Sequence, residues 1–169
     1  MAHIAIKAVL LIAALGVSAC AKKVDSNSMA GGYGAGGYGA AGDASNPASP
    51  AYFQSRVGDR VLFPVDQSSL TAEAQQTLNG QAGWLNQNTG YNATVEGHAD
   101  EQGTREYNLA LGARRANAVQ EYLISRGVAG TRLDTVSYGK ERPLEICSEE
   151  ACYAKNRRAV TVLRAAPTS

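Results

Sequence analysis

Val95-Glu-Gly-His-Ala-Asp-Glu-Gln-Gly-Thr-Arg-Glu-Tyr-Asn-Leu-Ala-Leu-Gly-Ala-Arg-Arg-Ala116 decides the fold. It reads as the end of a strand, a tight turn containing Gly103, and the start of a long helix. Asp100 falls where the strand ends. At 100° per residue, Asn108, Leu111, Arg115, Val119 and Tyr122 share one stripe of the helix, and Arg114 points away from it. One arginine of the Arg114-Arg115 pair is therefore solvated, while the other lies in the apolar face. A guanidinium on a core-facing stripe needs a partner, because an isolated buried charge is strongly unfavourable. The nearest carboxylate by topology is Asp100. Two readings follow. The pair is a structural salt bridge that locks helix to strand, or it is split, with Asp100 taking a ligand ammonium and Arg115 a ligand carboxylate.

Glu96-Gly-His-Ala-Asp100, Tyr107-Asn-x-x-Leu111 and Arg114-Arg-Ala116 occur in an order that resembles the OmpA-like peptidoglycan-binding domain. Val136-Ser-Tyr-Gly-Lys-Glu-Arg-Pro143 and Asn156-Arg-Arg-Ala-Val-Thr-Val162 extend the resemblance to about residues 60–163. It implies an α/β fold, a βαβαβαβ sandwich with a small mixed sheet. It also implies a non-enzymatic protein that binds peptidoglycan without metal or cofactor. Asp100 and Arg115 match the acid and the arginine that hold diaminopimelate of the wall stem peptide. The resemblance places an acidic residue at the mouth of that site, after a phenylalanine, and Phe63-Pro-Val-Asp66 fits. Asn156 matches an asparagine near the site. Asn108 and Leu111 share the Arg115 stripe and are expected to line the pocket. Of Arg157 and Arg158, which start the last strand, one is expected to be structural. The closest branch of the family works with TolB and other Tol proteins, which are the implied protein partners.

The chemistry of such a ligand suits the pair. The side-chain terminus of diaminopimelate carries an ammonium and a carboxylate on one carbon. A carboxylate accepts the first, and a planar guanidinium fork takes the second in a bidentate contact. A lysine in the wall peptide lacks the carboxylate and would leave Arg115 unpaired, which is a basis for selectivity.

Outside the central stretch the 169-residue chain carries 16 Lys and Arg against 15 Asp and Glu, and the counts become equal without Lys7. A neutral balance argues against nucleic acid as the partner. Residues 1–19 read as a leader. His3 and Lys7 precede an apolar run too short to span a bilayer, and Val17-Ser-Ala-Cys20 resembles a bacterial lipobox. Cys20 is thus expected to be the acylated N-terminus, held firmly by several chains. Ala21 resembles the signal for an outer-membrane destination on the periplasmic face. Residues 20–52 read as a linker, in which Gly31-Gly-Tyr-Gly-Ala-Gly-Gly-Tyr-Gly39 and Asn46-Pro-Ala-Ser-Pro50 bury too little to offset ordering entropy. Such a coil spans roughly 30 Å on average.

The binding domain is expected over 53–169, with strands near 60–63, 92–99, 133–138 and 158–163. Helices are expected from Thr71, capped with Glu73 in its first turn, near 104–125, and from Ser148. Leu70, Ala74, Leu78, Ala82 and Leu85 mark the first helix's buried face, with Trp84 sealing an edge. In the second strand Val95, Gly97 and Ala99 alternate with Thr94, Glu96 and His98, and Gly97 implies a close neighbour. Gly127 stops the central helix.

His98, Asp100 and Glu101, with Cys147 and Cys152, do not make a metal site. His98 is the one histidine after the leader, and no spacing resembles a zinc motif. His98 is expected to pack at the rim of the sheet. Neither it nor Glu96 has a serine or cysteine nucleophile to activate. In an oxidising compartment, with Cys20 used elsewhere, Cys147 and Cys152 are an even pair. They are expected to form a disulfide worth roughly 2 kcal/mol.

These observations lead to one main expectation: an outer-membrane lipoprotein that tethers the membrane to the cell wall together with the Tol proteins. The alternatives are a TolB-interaction module with little wall binding, or a targeting domain in a wall-processing system.

Overall fold

The computed structural model describes residues 42–146 and 148–166. Each element follows from a local cause. Thr71 accepts a hydrogen bond from the Ala74 amide and starts helix α1, Ala72–Gln87, with Glu73 in its first turn. Thr104 does the same for the Tyr107 amide at the start of α2, Arg105–Ser125. Gly127, at φ 91°, closes α2 in the left-handed region. A short α3, Glu150–Asn156, follows Glu149 at its N-cap, two residues later than its Ser148 signal suggests.

The strands are β1 (Arg60–Leu62), β2 (Tyr91–His98), β3 (Leu133–Gly139) and β4 (Arg158–Ala165), in the spatial order β1-β4-β2-β3. β4 runs antiparallel to β1 and to β2, while β2 and β3 are parallel. The sheet is therefore mixed and the order βαβαβαβ, as the resemblance implies. Both helices of the layer, α1 and α2, bury one stripe. Phe53, Val61, Leu78, Leu85, Val95, Val119, Leu123 and Val128 are among the core residues. The α2 stripe is broader than the sequence suggests. It adds Gly112, Ala116 and Leu123, while Tyr122 is only half-buried.

Gly97 has the close neighbour that its position in a strand implies. A Cβ there would lie 1.8 Å from the Gly112 carbonyl oxygen, and a Cβ on Gly112 would lie 2.4 Å from Ser137 Oγ. Two glycines let α2 rest on the backbone of β2. That contact fixes the height of the helix over the strand, and with it the position of Arg115 relative to the end of β2.

The segment read as the end of the linker is tied to the domain. Ser49 is buried and caps the helical turn Pro50–Tyr52, which runs into a π-helical turn, Phe53–Gly58. The Trp84 indole donates to the Pro47 carbonyl at 2.7 Å, and its ring packs between Phe53 and Tyr91. Trp84 thus seals an edge, and it does so partly by holding this strap. Trp84→Phe keeps the ring and removes the hydrogen bond. It is expected to cost about 1 kcal/mol and to make the residues around Pro47 cleavable, as limited proteolysis with thermal unfolding would read.

Candidate ligand-binding site

Three chain crossings meet at the carboxyl end of β2. β1 continues into the turn at 64–67, β2 into the turn at 99–103, and α3 delivers Arg157 to the start of β4. The turn at 64–67 closes through Gln67 N to Pro64 O at 3.3 Å and holds Asp66 at φ 55°. An aspartate tolerates that left-handed backbone better than most residues. Beyond β2, the Ala99 amide still bonds Gly139 O at 2.8 Å, and Asp100 then turns the chain by accepting from Gln102 N at 3.3 Å.

Arg115 is 0% exposed. Its Nε donates to Gln67 O at 2.8 Å, Nη2 to Pro64 O at 3.2 Å, and Nη1 to His98 O at 2.8 Å. Its guanidinium carbon stands 5.1 Å from the centre of the Phe63 ring. Burial pushes its pKa down to about 10, partly opposed by the attraction of Asp100, so the group is still charged at neutral pH. The Nε–Nη2 edge, the side-on fork suited to a carboxylate, is filled by two turn carbonyls. Second hydrogens on Nη1 and Nη2 are unspent.

Asp100, 7% exposed, does not bridge to Arg115. Its Oδ2 instead takes Arg157 Nη1 at 3.1 Å. This corrects the salt-bridge reading of the central stretch, because the structural partner of Asp100 comes from the far end of the chain. Arg157 also donates from Nε to Phe63 O at 3.2 Å and holds Glu150 with both terminal nitrogens. Burial opposes its charge, but the two carboxylates outweigh that and raise its pKa. Arg157 is thus the structural member of the Arg157-Arg158 pair on this side. Arg158 lies against Asn156 O and Arg142 O, its pKa lowered to about 10 by burial.

The other sequence candidates fall around this pair in different ways. Leu111 and Phe63 are buried beside Arg115's stripe and ring contact. Asn108 is buried. It donates to Asp100 O at 3.2 Å and Gln102 O at 2.8 Å, so it braces the turn that carries Asp100. Its Oδ1 and the Oε2 of Glu101 are buried acceptors without a partner among the described residues. Asp66 is exposed, and its carboxylate accepts from the Tyr107 hydroxyl. Tyr107, in the first turn of α2 and exposed, is a contact of Asp66 that the sequence does not point to.

Asn156 is spent within the protein. Its Oδ1 accepts from Leu144 N and Glu145 N, and its Nδ2 donates to Glu101 Oε1 and Glu145 O. All four hydrogen bonds of the amide are used, so it pins the loop at 144–145 beside the site. His98 is not at an open rim. It is 1% exposed, 5.5 Å from the Tyr138 ring, and burial lowers its pKa. Arg114 is exposed, as the helix wheel requires. Cys152 is disulfide-bonded, whereas Cys147 and Cys20 lie outside the described residues.

A model of the OmpA family matches residues 62–157. The chain is 52% identical to the peptidoglycan-associated lipoprotein of Mesorhizobium japonicum, over 94% of this chain and 91% of that one. It belongs to the OmpA family. Within the family it is also 43% identical to the peptidoglycan-associated lipoprotein of Haemophilus influenzae, over 89% of this chain and 94% of that one. The crystal structure of the peptidoglycan-associated lipoprotein from Burkholderia pseudomallei superposes with a TM-score of 0.64 at 36% identity, covering 72% of this chain and 98% of that one. The C-terminal domain of Helicobacter pylori MotB shares the fold at 21% identity and a TM-score of 0.60, covering 64% of this chain and 85% of that one. The OmpA-family motifs quoted from the sequence thus lie within the matched segment or at its border.

Proposed function

We propose that this protein is an outer-membrane lipoprotein that binds peptidoglycan through the diaminopimelate of the stem peptide and does no chemistry on it. The observation behind this reading is the arrangement at the end of β2. A carboxylate, Asp100, which keeps a little exposed surface, lies close enough to the buried, charged Arg115 to attract it. The kinship with peptidoglycan-associated lipoproteins supports it. So do the unpaired acceptors Asn108 Oδ1 and Glu101 Oε2 beside Asp100, which favour a ligand rich in N–H donors.

Asp100 receives the ligand ammonium with the capacity that Arg157 and Gln102 leave unused. The ligand carboxylate meets the two unspent hydrogens of Arg115. Because Arg115 has no exposed surface, this contact needs the turn at 64–67 to give way, and Asp66 held by Tyr107 marks its hinge. Phe63 and Leu111 supply the apolar walls. Asn108 and Asn156 hold the frame.

Residues 1–19 act as the signal peptide, Cys20 carries the lipid, and the linker at 20–52, whose last residues strap onto the domain, gives reach to a binding domain at 53–169. The strap at Pro47 joins the domain near Trp84 and Tyr91, at the start of β2, while the ligand site lies past its end. Membrane and wall then pull on opposite ends of the central strand. TolB and the other Tol proteins are the protein partners in this reading, and Cys147 with Cys152 ties the loop before α3 to the first turn of that helix. The test is retention of the protein on purified sacculi, with free diaminopimelate as competitor. Retention that diaminopimelate releases is the expected result. Failure to sediment with sacculi would leave the TolB-module alternative.

A further inference from the structure

Arg157 faces two carboxylates at once. Its Nη1 lies 3.1 Å from Asp100 Oδ2 and 3.4 Å from Glu150 Oε2, and its Nη2 holds Glu150 Oε1. Arg157 is buried with Asp100, but the Glu150 side chain is 65% exposed. Glu150 sits in the first turn of α3. Neither the family motifs nor the helix wheel points to this third group.

We propose that Glu150 is a positioning residue for ammonium recognition, acting through Arg157. The inference rests on the reading of Asp100 as the ammonium acceptor. An arginine that served Asp100 alone would neutralise it and could close on it with both arms. Either effect would take the carboxylate from a ligand cation. Glu150 prevents both. It engages the Arg157 fork from the outside, so only one nitrogen reaches one oxygen of Asp100. It also balances the two guanidiniums, Arg157 and the nearby Arg115, which with Asp100 alone would leave the cluster net positive and repel the ammonium. The guanidinium keeps Asp100 in place while the glutamate keeps it negative.

The test is a charge series at one position, in the full-length protein in detergent. It is titrated with the tripeptide L-alanyl-γ-D-glutamyl-meso-diaminopimelate by calorimetry at low and high salt. Glu150→Asp should bind nearly as wild type. Glu150→Gln should weaken binding about threefold to fivefold, the range of a partly exposed charge interaction. Glu150→Lys should weaken it by roughly the square of that factor, since the charge changes by twice as much. The losses should shrink as salt rises, because Glu150 is reachable by counterions. Melting temperatures should vary little across the series.

Binding that is unchanged in all three variants overturns the proposal. So does a loss of the same size in all three regardless of charge, which would mean a packing role for α3. If the wild-type protein itself does not bind the tripeptide, the failure belongs to the ligand assignment of Asp100, and the series is not needed to see it.

Discussion

Arg115→Ala should lower stability by about 3–5 kcal/mol, the range for stripping one partner from a buried charged network. The cause is in the three carbonyls it serves. Pro64, Gln67 and His98 each present a backbone oxygen to the guanidinium; alanine would remove this donor from all three, the buried His98 carbonyl included, and leave Pro64 O only the Gln67 amide. The lost side chain is also the largest of the fully buried ones among the described residues, so a cavity adds to the cost. The turn at 64–67 would keep its own closure and the Asp66–Tyr107 hydrogen bond but lose its ties to the guanidinium, and it should loosen first. For a domain of this size the expected fall in melting temperature is roughly 10–20 °C. Arg115→Lys should recover only part of it, because one ammonium cannot reach three acceptors set around a planar fork. Arg114→Ala is the control and should unfold like wild type. Thermal unfolding of the three variants decides this, and an Arg115→Ala protein as stable as Arg114→Ala would refute the role given to the guanidinium.

That expectation differs from what the central stretch alone supports. The helix wheel correctly buries Arg115 and exposes Arg114, since a period of 3.6 is a local property of the chain. The wheel does not say what the guanidinium touches. Asp100 is the nearest acid by topology, but its partner is Arg157, 57 positions away, brought there by the register of β4 against β1 and β2. Arg115 in turn meets carbonyls, and carbonyls leave no trace in the residue type. Gly97 was legible because a glycine within a strand needs a reason. Gly112, its counterpart, was hidden in a helix where small residues are common.

The order at the end of the linker segment is hidden for the opposite reason. Ser, Pro and Ala at 47–51 have the composition of a coil, and their order comes from a tryptophan 37 positions later. Asn156 illustrates a limit of family resemblance. The motif places it beside the site correctly, and only the hydrogen bonds show that it has nothing left to offer a ligand.

Asp100→Ala should divide the two roles that sequence could not separate. The carboxylate is the one acidic group of the central pair that reaches the surface, and on the proposed reading it accepts the ligand ammonium directly. A hydrogen bond to a charged group contributes about 1.5–3 kcal/mol, so its loss should weaken binding of the diaminopimelyl tripeptide roughly tenfold to a hundredfold. The cost to the fold should be much smaller than for Arg115→Ala. Arg157 would lose one acid but keep Glu150 and the Phe63 carbonyl, so no guanidinium is left buried alone. Asn108 would still brace the turn through the Asp100 backbone carbonyl, which the substitution does not touch. A stability loss of about 1 kcal/mol, mainly from the Gln102 amide and the Arg157 contact, is expected. Asp100→Asn should behave alike in binding and lose less stability, since an amide oxygen can still accept from Gln102. Calorimetric titration reads the first quantity and thermal unfolding the second. Full affinity in Asp100→Ala, with a collapse in melting temperature, would make Asp100 only the internal counter-ion of Arg157. The ligand ammonium would then have to be received by the remaining buried acceptors, Glu101 Oε2 and Asn108 Oδ1.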